Sequence, residues 1–378
     1  MIKIEVKDSS LLAFFQYEFL FLHYMMKTEY NVIGVMSGTS LDGVDLVYVT
    51  FNSDTEWEFD IHFTETVTYT DSWLNSLKEL TSFSLERIQQ IDIDYTNYLA
   101  EIIWKFIVTN NIKKIDAICS HGHTALHQPE NDITYQIGNL PQIAKLLKLP
   151  VVCDFRVQDV EFGGQGAPLV PIGDQLLFAK FDSCLNLGGF ANISFEHNGI
   201  RLAFDICPVN IVLNYYMRQI GLSYDHNGDL GATGQINKDL LKKLNDLSFY
   251  SKEPPKSLGL EWVINVVLPL IDDYRLSIKD VLRTFIEHTA IQISKILNII
   301  PLSSVLITGG GVYNSFLIQR IQSRTNGVVV IPSNEIIEYK EALIFGLLGV
   351  LKLRNEINCL SSVTGAVKDH SSGKIYLP

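Results

Sequence analysis

The stretch GVMSGTSLDGVD, residues 34–45, places Ser-Gly-Thr-Ser and then a single carboxylate between two apolar runs. Gly38 and Gly43 permit positive φ and let a ligand approach the backbone closely. Successive N–H groups in such a turn make an anion nest, to which the hydroxyls of Thr39 and Ser40 add donors. Asp42 cannot bind phosphate directly, but it can hold a hydrated Mg2+ that does. The set suits a nucleoside triphosphate; a decorated hairpin is the plain alternative. Two further glycine clusters each follow an apolar strand. One is Gly188-Gly189 in LNLGGFANIS, with Asn186 and Asn192 beside it; the other is Gly309-Gly310-Gly311 in ITGGGVYN. There the backbone can lie flat against a base or a phosphate.

Two stretches point to a sugar. DFRVQDVEFGGQGAPLVP, residues 154–171, combines Arg156 and Asp159 with the loop Gly163-Gly164-Gln165-Gly166. Arginine suits a carboxylate ligand, while Asp and Gln suit hydroxyls and an amide. AFDICPVN, residues 203–210, puts Asp205 near a strand end, where it either faces a cleft or serves as a cap or ion-pair partner. The histidines of HGHTALH (His121, His123, His127) have no Cys or carboxylate beside them to complete a metal set, and the stretch reads as a substrate-lining loop. No Walker A, dinucleotide-binding, zincin or nucleophile-elbow motif is present.

These residues need a large scaffold to position them. The chain has 378 residues, is 47% hydrophobic and carries a net charge of -12. That charge argues against non-specific nucleic-acid binding and against an anionic membrane surface. Five scattered cysteines, mostly within apolar runs, fit a reducing compartment. Residues 11–26 resemble a signal peptide, yet Gln16, Glu18 and His23 interrupt the run and no cleavage site follows. Residues 1–30 are therefore expected to be a peripheral extension, with Met26 as an alternative start.

Period-2 runs predict strands at 31–36, 44–51 and 59–69, then a helix opening with Asp71 as N-cap and a longer one from Ser84 to Asn110. Strands are expected at 115–120 and 151–155. A second three-strand beginning appears at 184–206, followed by helices, then a strand at 304–311. The pattern is α/β, with a duplication visible in architecture rather than in identity. Two related lobes are expected: 31–180 with about 338–378, and 181–337.

In this order and spacing, GVMSGTSLDGVD, SHGHTALHQP, TYQIGNLPQIA, DFRVQDVEFGGQGAPLVP, LNLGGFANIS, PPKSLGLEW, TGGGVYN and the late VTGA resemble the 1,6-anhydro-N-acetylmuramic acid kinases, from about residue 32 to the C-terminus. The resemblance implies a two-lobed actin-like ATPase (ribonuclease H-like) fold with an interlobe cleft. It also implies a cytoplasmic enzyme that uses ATP and Mg2+ to open the anhydro ring with water and phosphorylate O6 in peptidoglycan recycling. A homodimer is further implied. By motif, Gly38, Thr39, Ser40, Leu41, Asp42, Gly43, Val44 and Asp45 would cradle the ATP phosphates, with Asp42 near the metal, directly or through water. Gly188, Gly189 and Gly309–Gly311 would also serve ATP. Asp205 would be the catalytic base; Arg156, Gly164, Gln165 and Glu341 would line the sugar pocket.

One departure stands out. Many relatives carry FDTGPGN where this chain has FDICPVN, so the turn loses two glycines while Asp205, Pro208 and Asn210 survive. Val209 disfavours positive φ, which predicts a local change in that turn. The competing readings are a kinase of another amino sugar or hexose, and a nucleotide or muropeptide sensor with a degraded kinase site.

Overall fold

The computed structural model describes residues 24–38, 41–299 and 304–378. Thr39, Ser40 and residues 1–23, most of the expected extension, lie outside the described residues. Contacts divide the chain into two compact units: the described residues through Leu177 together with Glu341–Pro378, and Phe178–Lys340.

The first unit is built on strands β1 (Glu29–Ser37), β2 (Val44–Asn52), β3 (Glu58–Val67), β4 (Ala117–Gln128), β5 (Ile133–Ile137), β6 (Val151–Cys153) and, from the C-terminus, β12 (Lys374–Tyr376). Their order is β12-β6-β4-β1-β2-β3, with β5 paired to β4. β2 runs antiparallel to both β1 and β3, whereas β4 is parallel to β1 and β6 to β4. β1 is buried from Tyr30 to Ser37, as a central strand covered on both faces should be. It starts two residues before the predicted boundary, because Tyr24 and Tyr30 are buried and the Tyr24 hydroxyl donates to the Asp116 carbonyl.

Helix α1 (Asp71–Lys78) is capped by Thr70, whose hydroxyl accepts the Trp73 N–H; Asp71, expected at the cap, is instead the acidic residue of the first turn. Helix α2 (Leu85–Thr109) opens at Ser84, as its spacing predicts. It lays Ile88, Ile91, Tyr95, Leu99, Ile103 and Phe106 into the core cluster that also holds Ile33 and Val35 of β1 and Val44 and Leu46 of β2. Each such buried side chain contributes about 1.5–3 kcal/mol. HGHTALH is part of the twelve-residue strand β4, not a loop: it pairs with β5 in a hairpin that satisfies its backbone. The short helix α3 (Val157–Glu161) follows β6.

The second unit holds β7 (Ser183–Leu187), β8 (Phe190–His197), β9 (Ile200–Pro208), β10 (Ser304–Thr308) and β11 (Val328–Val330), in the order β11-β10-β7-β8-β9. β7, β8 and β9 are antiparallel, and β10 and β11 are parallel to β7 and β10 respectively. Helices α4 (Asn210–Arg218) and α5 (Ile278–Ile299) supply Val212, Leu213, Phe285, Ile286 and Ile293 to its core. The chain leaves this unit within helix α6 (Asn334–Leu353), whose Glu341 is the first residue counted with the first unit. Among the described residues, no helix is long and apolar enough to cross a membrane.

Candidate active site

The first group of candidate residues follows the C-terminal ends of β1 and β6, with the histidines of mid-β4 beside them. The β1–β2 turn presents Asp42 as an exposed carboxylate, while Leu41, and not a flanking glycine, takes the left-handed conformation at φ 62°. Gly43 is required for space: a Cβ there would lie 2.6 Å from the Val67 carbonyl oxygen on β3. Val44 is in the apolar core, so only its backbone could meet a ligand. Asp45, in β2, accepts the Thr66 hydroxyl at 2.7 Å. Beneath the turn, Ser37 Oγ lies 2.6 Å from the Tyr69 hydroxyl, 2.7 Å from that of Tyr95 and 2.9 Å from His123 Nδ1. Burial lowers the His123 pKa to about 4, so this ring is neutral.

Arg156 is oriented from two sides. Its Nε donates to His121 Nε2 at 2.8 Å and a terminal nitrogen donates to the Gly166 carbonyl at 2.6 Å. His121 directs its Nδ1–H to the Gly122 carbonyl, so Nε2 is free of a proton and accepts. Burial, then the Arg156 cation, hold its pKa well below the usual histidine range. Burial lowers the Arg156 pKa, against the pull of the Glu341 carboxylate and, more weakly, of Cys359 and Asp159. Arg156 and Glu341 thus share one electrostatic neighbourhood. The loop 163–166 folds around Asp159, whose carboxylate accepts the Gly166 N–H at 2.7 Å and would meet a Gly164 Cβ at 2.2 Å. Gln165 is exposed on that loop, its N–H fixed by the Thr364 carbonyl.

The second group lies at the ends of β7 and β10. Gly309 takes φ 83°, and a Cβ there would sit 2.4 Å from Asn186 Oδ1; at Gly311 it would meet the Leu187 Cβ at 2.7 Å. Gly310 is exposed, with Asn210 Nδ2 4.0 Å from where its Cβ would be. The Gly188 and Gly189 carbonyls accept the N–H groups of Asn210 and Val209 at 3.3 and 2.8 Å. The turn carbonyls therefore cap α4 and draw both glycine clusters and Asn210 to one edge.

Asp205 lies on β9, three residues before its end. The register against β8 steps from Ala191–Cys207 to Asn192–Asp205, leaving Ile206 as a bulge. A bulge re-aims its neighbours, and here Asp205 remains partly exposed while Phe204 and Ile206 are buried. Asp205 Oδ2 accepts the Leu258 N–H at 2.8 Å, and the Asp205 N–H donates to the Lys256 carbonyl. Burial raises its pKa above the usual aspartate range, with the Leu258 bond opposing. A carboxylate so placed is a stronger base than one in water. Val209 adopts φ -132°, so the turn asks for no left-handed residue, and Ile206, Cys207 and Val209 fill the core behind it.

The sequence could not have shown the Lys256–Leu258 brace, which comes from a segment some fifty residues later. Nor did it give the Ser37–Tyr69–Tyr95–His123 cluster, which depends on the β1–β4 pairing. Among the described residues, the group that could hold a metal ion is Asp159, Cys359 and His370, and not the histidines of β4.

The two sheets carry one strand order twice, three antiparallel strands followed by two parallel ones. With glycine-rich turns at the strand ends, this is the actin-like ATPase class, ribonuclease H-like in each half. The sequence profile described as anhydro-N-acetylmuramic acid kinase matches residues 30–378. Proteins of that name align along nearly their whole length. The one from Sulfurimonas denitrificans is 31% identical over 371 residues, covering 91% of this chain and 98% of the relative. That from Xanthomonas oryzae pv. oryzae is 34% identical, with 91% and 96% covered, and that from Haemophilus influenzae 32%, with 93% and 98%. The chain belongs to the anhydro-N-acetylmuramic acid kinase family.

Proposed function

We propose that the protein is an ATP-dependent kinase that opens 1,6-anhydro-N-acetylmuramic acid with water and phosphorylates O6, yielding N-acetylmuramic acid 6-phosphate and ADP. The observation that carries this reading is Asp205, a braced, partly exposed carboxylate beside a strand bulge, with a raised pKa. Asp205 takes a proton from the water that attacks C1. The C1–O6 bond breaks, and O6 accepts the γ-phosphoryl group while ADP leaves. A general base of this kind contributes about 10²–10⁴-fold.

The remaining roles follow from chemistry and position. Arg156, held by His121 and the Gly166 carbonyl, is directed at the lactyl carboxylate of the sugar, with Gln165 and Glu341 meeting its hydroxyl and amide groups. Gly188, Gly189 and Gly309–Gly311 contribute backbone to the nucleotide, and Gly38–Asp45 to its phosphates. Asp42 is the exposed acid of that turn, whereas Asp45 is engaged by Thr66, so Asp42 is the residue fitted to hold Mg2+, directly or through water. The ion would neutralise phosphate charge, the main need of phosphoryl transfer. The reading includes a cytoplasmic location, where recovered cell-wall sugar and ATP would meet.

The altered ICPV turn does not favour a degraded sensor. Its three substituted side chains pack inward, leaving Asp205 and Asn210 in place. The test uses the anhydro sugar, Mg-ATP and ¹⁸O-labelled water. Label at C1 and phosphate on O6 of one product are expected, and Asp205→Asn should lose both. Label in free phosphate would mean simple ATP hydrolysis, and phosphorylation of an ordinary hexose with the anhydro sugar inert would replace the substrate.

A further inference from the structure

Asp159, Cys359 and His370 bring three chemically different ligand atoms within 4.8 Å of one another, and all three residues are buried. Cys359 and His370 face each other across an isolated antiparallel bridge, their backbones exchanging hydrogen bonds of 3.1 and 3.2 Å. The Cys359 thiol donates to Asp159 Oδ1 at 3.0 Å. His370 Nδ1 lies 3.0 Å from the Lys368 carbonyl, which can only accept, so that nitrogen carries the proton. In the neutral ring Nε2 then presents a lone pair; it has no hydrogen-bond partner and stands 3.6 Å from Asp159 Oδ1. With His370 only 6% exposed, two acceptors confront each other away from water.

Such a pair calls for a positive charge between its members. A proton on Nε2 would supply one, but Asp159 Oδ1 already accepts the Thr364 hydroxyl at 2.7 Å as well as the thiol. We propose that the charge is a zinc ion, bound by the Asp159 carboxylate, the Cys359 thiolate and His370 Nε2. Mixed sulfur, imidazole and carboxylate donors suit zinc better than Mg2+ or Ca2+. A histidine whose other ring N–H is tied to a backbone carbonyl is the usual outer support of a metal-bound imidazole. Zinc–ligand bonds of about 2.0–2.3 Å place tetrahedral ligand atoms about 3.3–3.7 Å apart, so the widest pair has about 1 Å to close. Three protein ligands leave the fourth position to water. Binding exchanges the thiol proton for the metal, so uptake releases one proton to solvent.

The consequence is mechanical. Asp159 also holds the loop beside Arg156, through Gly166 on its carboxylate and Gly164 on its carbonyl, while the Thr364 carbonyl holds Gln165. The ion would clamp the C-terminal segment to that loop without touching substrate.

The full chain, stripped with chelator, is titrated with Zn2+ while proton release and melting temperature are followed; a parallel sample is loaded with Co2+. Uptake of about one ion per chain, a rise in melting temperature of several degrees and a cobalt–thiolate charge-transfer band are expected. Cys359→Ser should lose the band, and His370→Gln should weaken binding at least about tenfold. Should the serine variant not fold, the glutamine variant decides by the same titration. A folded wild-type chain that takes up no zinc, with a doubly protonated His370 ring in its NMR spectrum, overturns the proposal. So does zinc binding that survives both substitutions unchanged.

Discussion

The two sheets share a five-strand order, to which the first adds β12 and β5, but they carry different groups on it. In the middle of β4 the first unit carries side chains: His121 orients Arg156, and His123 joins the buried hydroxyl cluster under the β1–β2 turn. At the end of β10 the second unit carries backbone, Gly309–Gly311 folded against Leu187 and Asn186. The third strands differ too. β3 has its bulge in mid-strand, at His62, and uses Thr66 near its end to hold Asp45; β9 has its bulge at Ile206, next to a braced Asp205. A repeated scaffold thus separates tasks. On the proposed function, one half would meet an anionic sugar and present an exposed carboxylate, while the other would offer backbone to the nucleotide and supply the base.

That separation breaks most sharply at Asp205. Asp205→Asn keeps an acceptor for the Leu258 N–H but removes the base, so turnover should fall about 10²–10⁴-fold in a steady-state assay. The folded pKa is raised, so the protonated form favours folding at low pH and that contribution is lost as pH rises from the ordinary aspartate range through the raised value. The neutral asparagine escapes this loss. Its melting temperature should therefore equal or exceed that of the parent at neutral pH. In the parent, kcat/KM should fall on acidification with an apparent pKa above the usual aspartate value. A variant that is both inactive and strongly destabilised would make Asp205 a structural residue.

The backbone character of the second unit is tested by two alanines. Gly309→Ala must place a Cβ 2.4 Å from Asn186 Oδ1 at φ 83°, and should cost about 2–4 kcal/mol in denaturant unfolding. Gly310→Ala meets only Asn210 Nδ2, at an unstrained 4.0 Å, so it should leave stability within about 0.5 kcal/mol while raising KM for ATP. Equal effects of the two on stability, with ATP binding unchanged, would remove the glycine cluster from the nucleotide site.

For the first unit, Arg156→Lys retains the charge but cannot reproduce the paired bonds to His121 and Gly166. KM for the sugar should rise about tenfold or more, with KM for ATP unchanged. A rise confined to ATP would transfer Arg156 to the nucleotide and erase the division of labour.

What could be read from the chain, and what could not, follows the range of the interactions. α2 was legible because Ser84 caps it and its apolar residues recur at helical spacing, both local signals. The order of the glycine clusters marked the strand ends for the same reason. HGHTALH was misread as a loop because its strand character depends on pairing with β5 and, at His123, with Ser37 of the distant β1. The αL residue of the β1–β2 turn was assigned to glycine, yet Leu41 adopts it, and Gly43 is explained by β3 crowding. Asp205 was legible as a candidate, but the bulge and the Leu258 bond that define its environment arise from strand register and from a distant segment. Asp159, read as a hydroxyl partner for the sugar, is wholly buried and spends its carboxylate on Gly166, Thr364 and Cys359. Burial is the one property of a polar residue that local sequence conveys least.

The mildest change addresses the exposed end of the first unit. Asp42→Asn removes one negative charge from a solvent-exposed turn and leaves its shape, since the turn bond runs from the Leu41 N–H to the Gly38 carbonyl. Folding stability should stay within about 0.5 kcal/mol, as for surface substitutions generally. If Asp42 reaches the ion through water, the lost charge is partly screened, and the Mg2+ concentration for half-maximal activity should rise only several-fold. A direct ligand would give a rise of two orders of magnitude or more, roughly the loss expected for a charged partner at a desolvated site. No change in Mg2+ dependence would assign the turn's carboxylate to the surface alone, and the first unit's contribution would then reduce to the sugar.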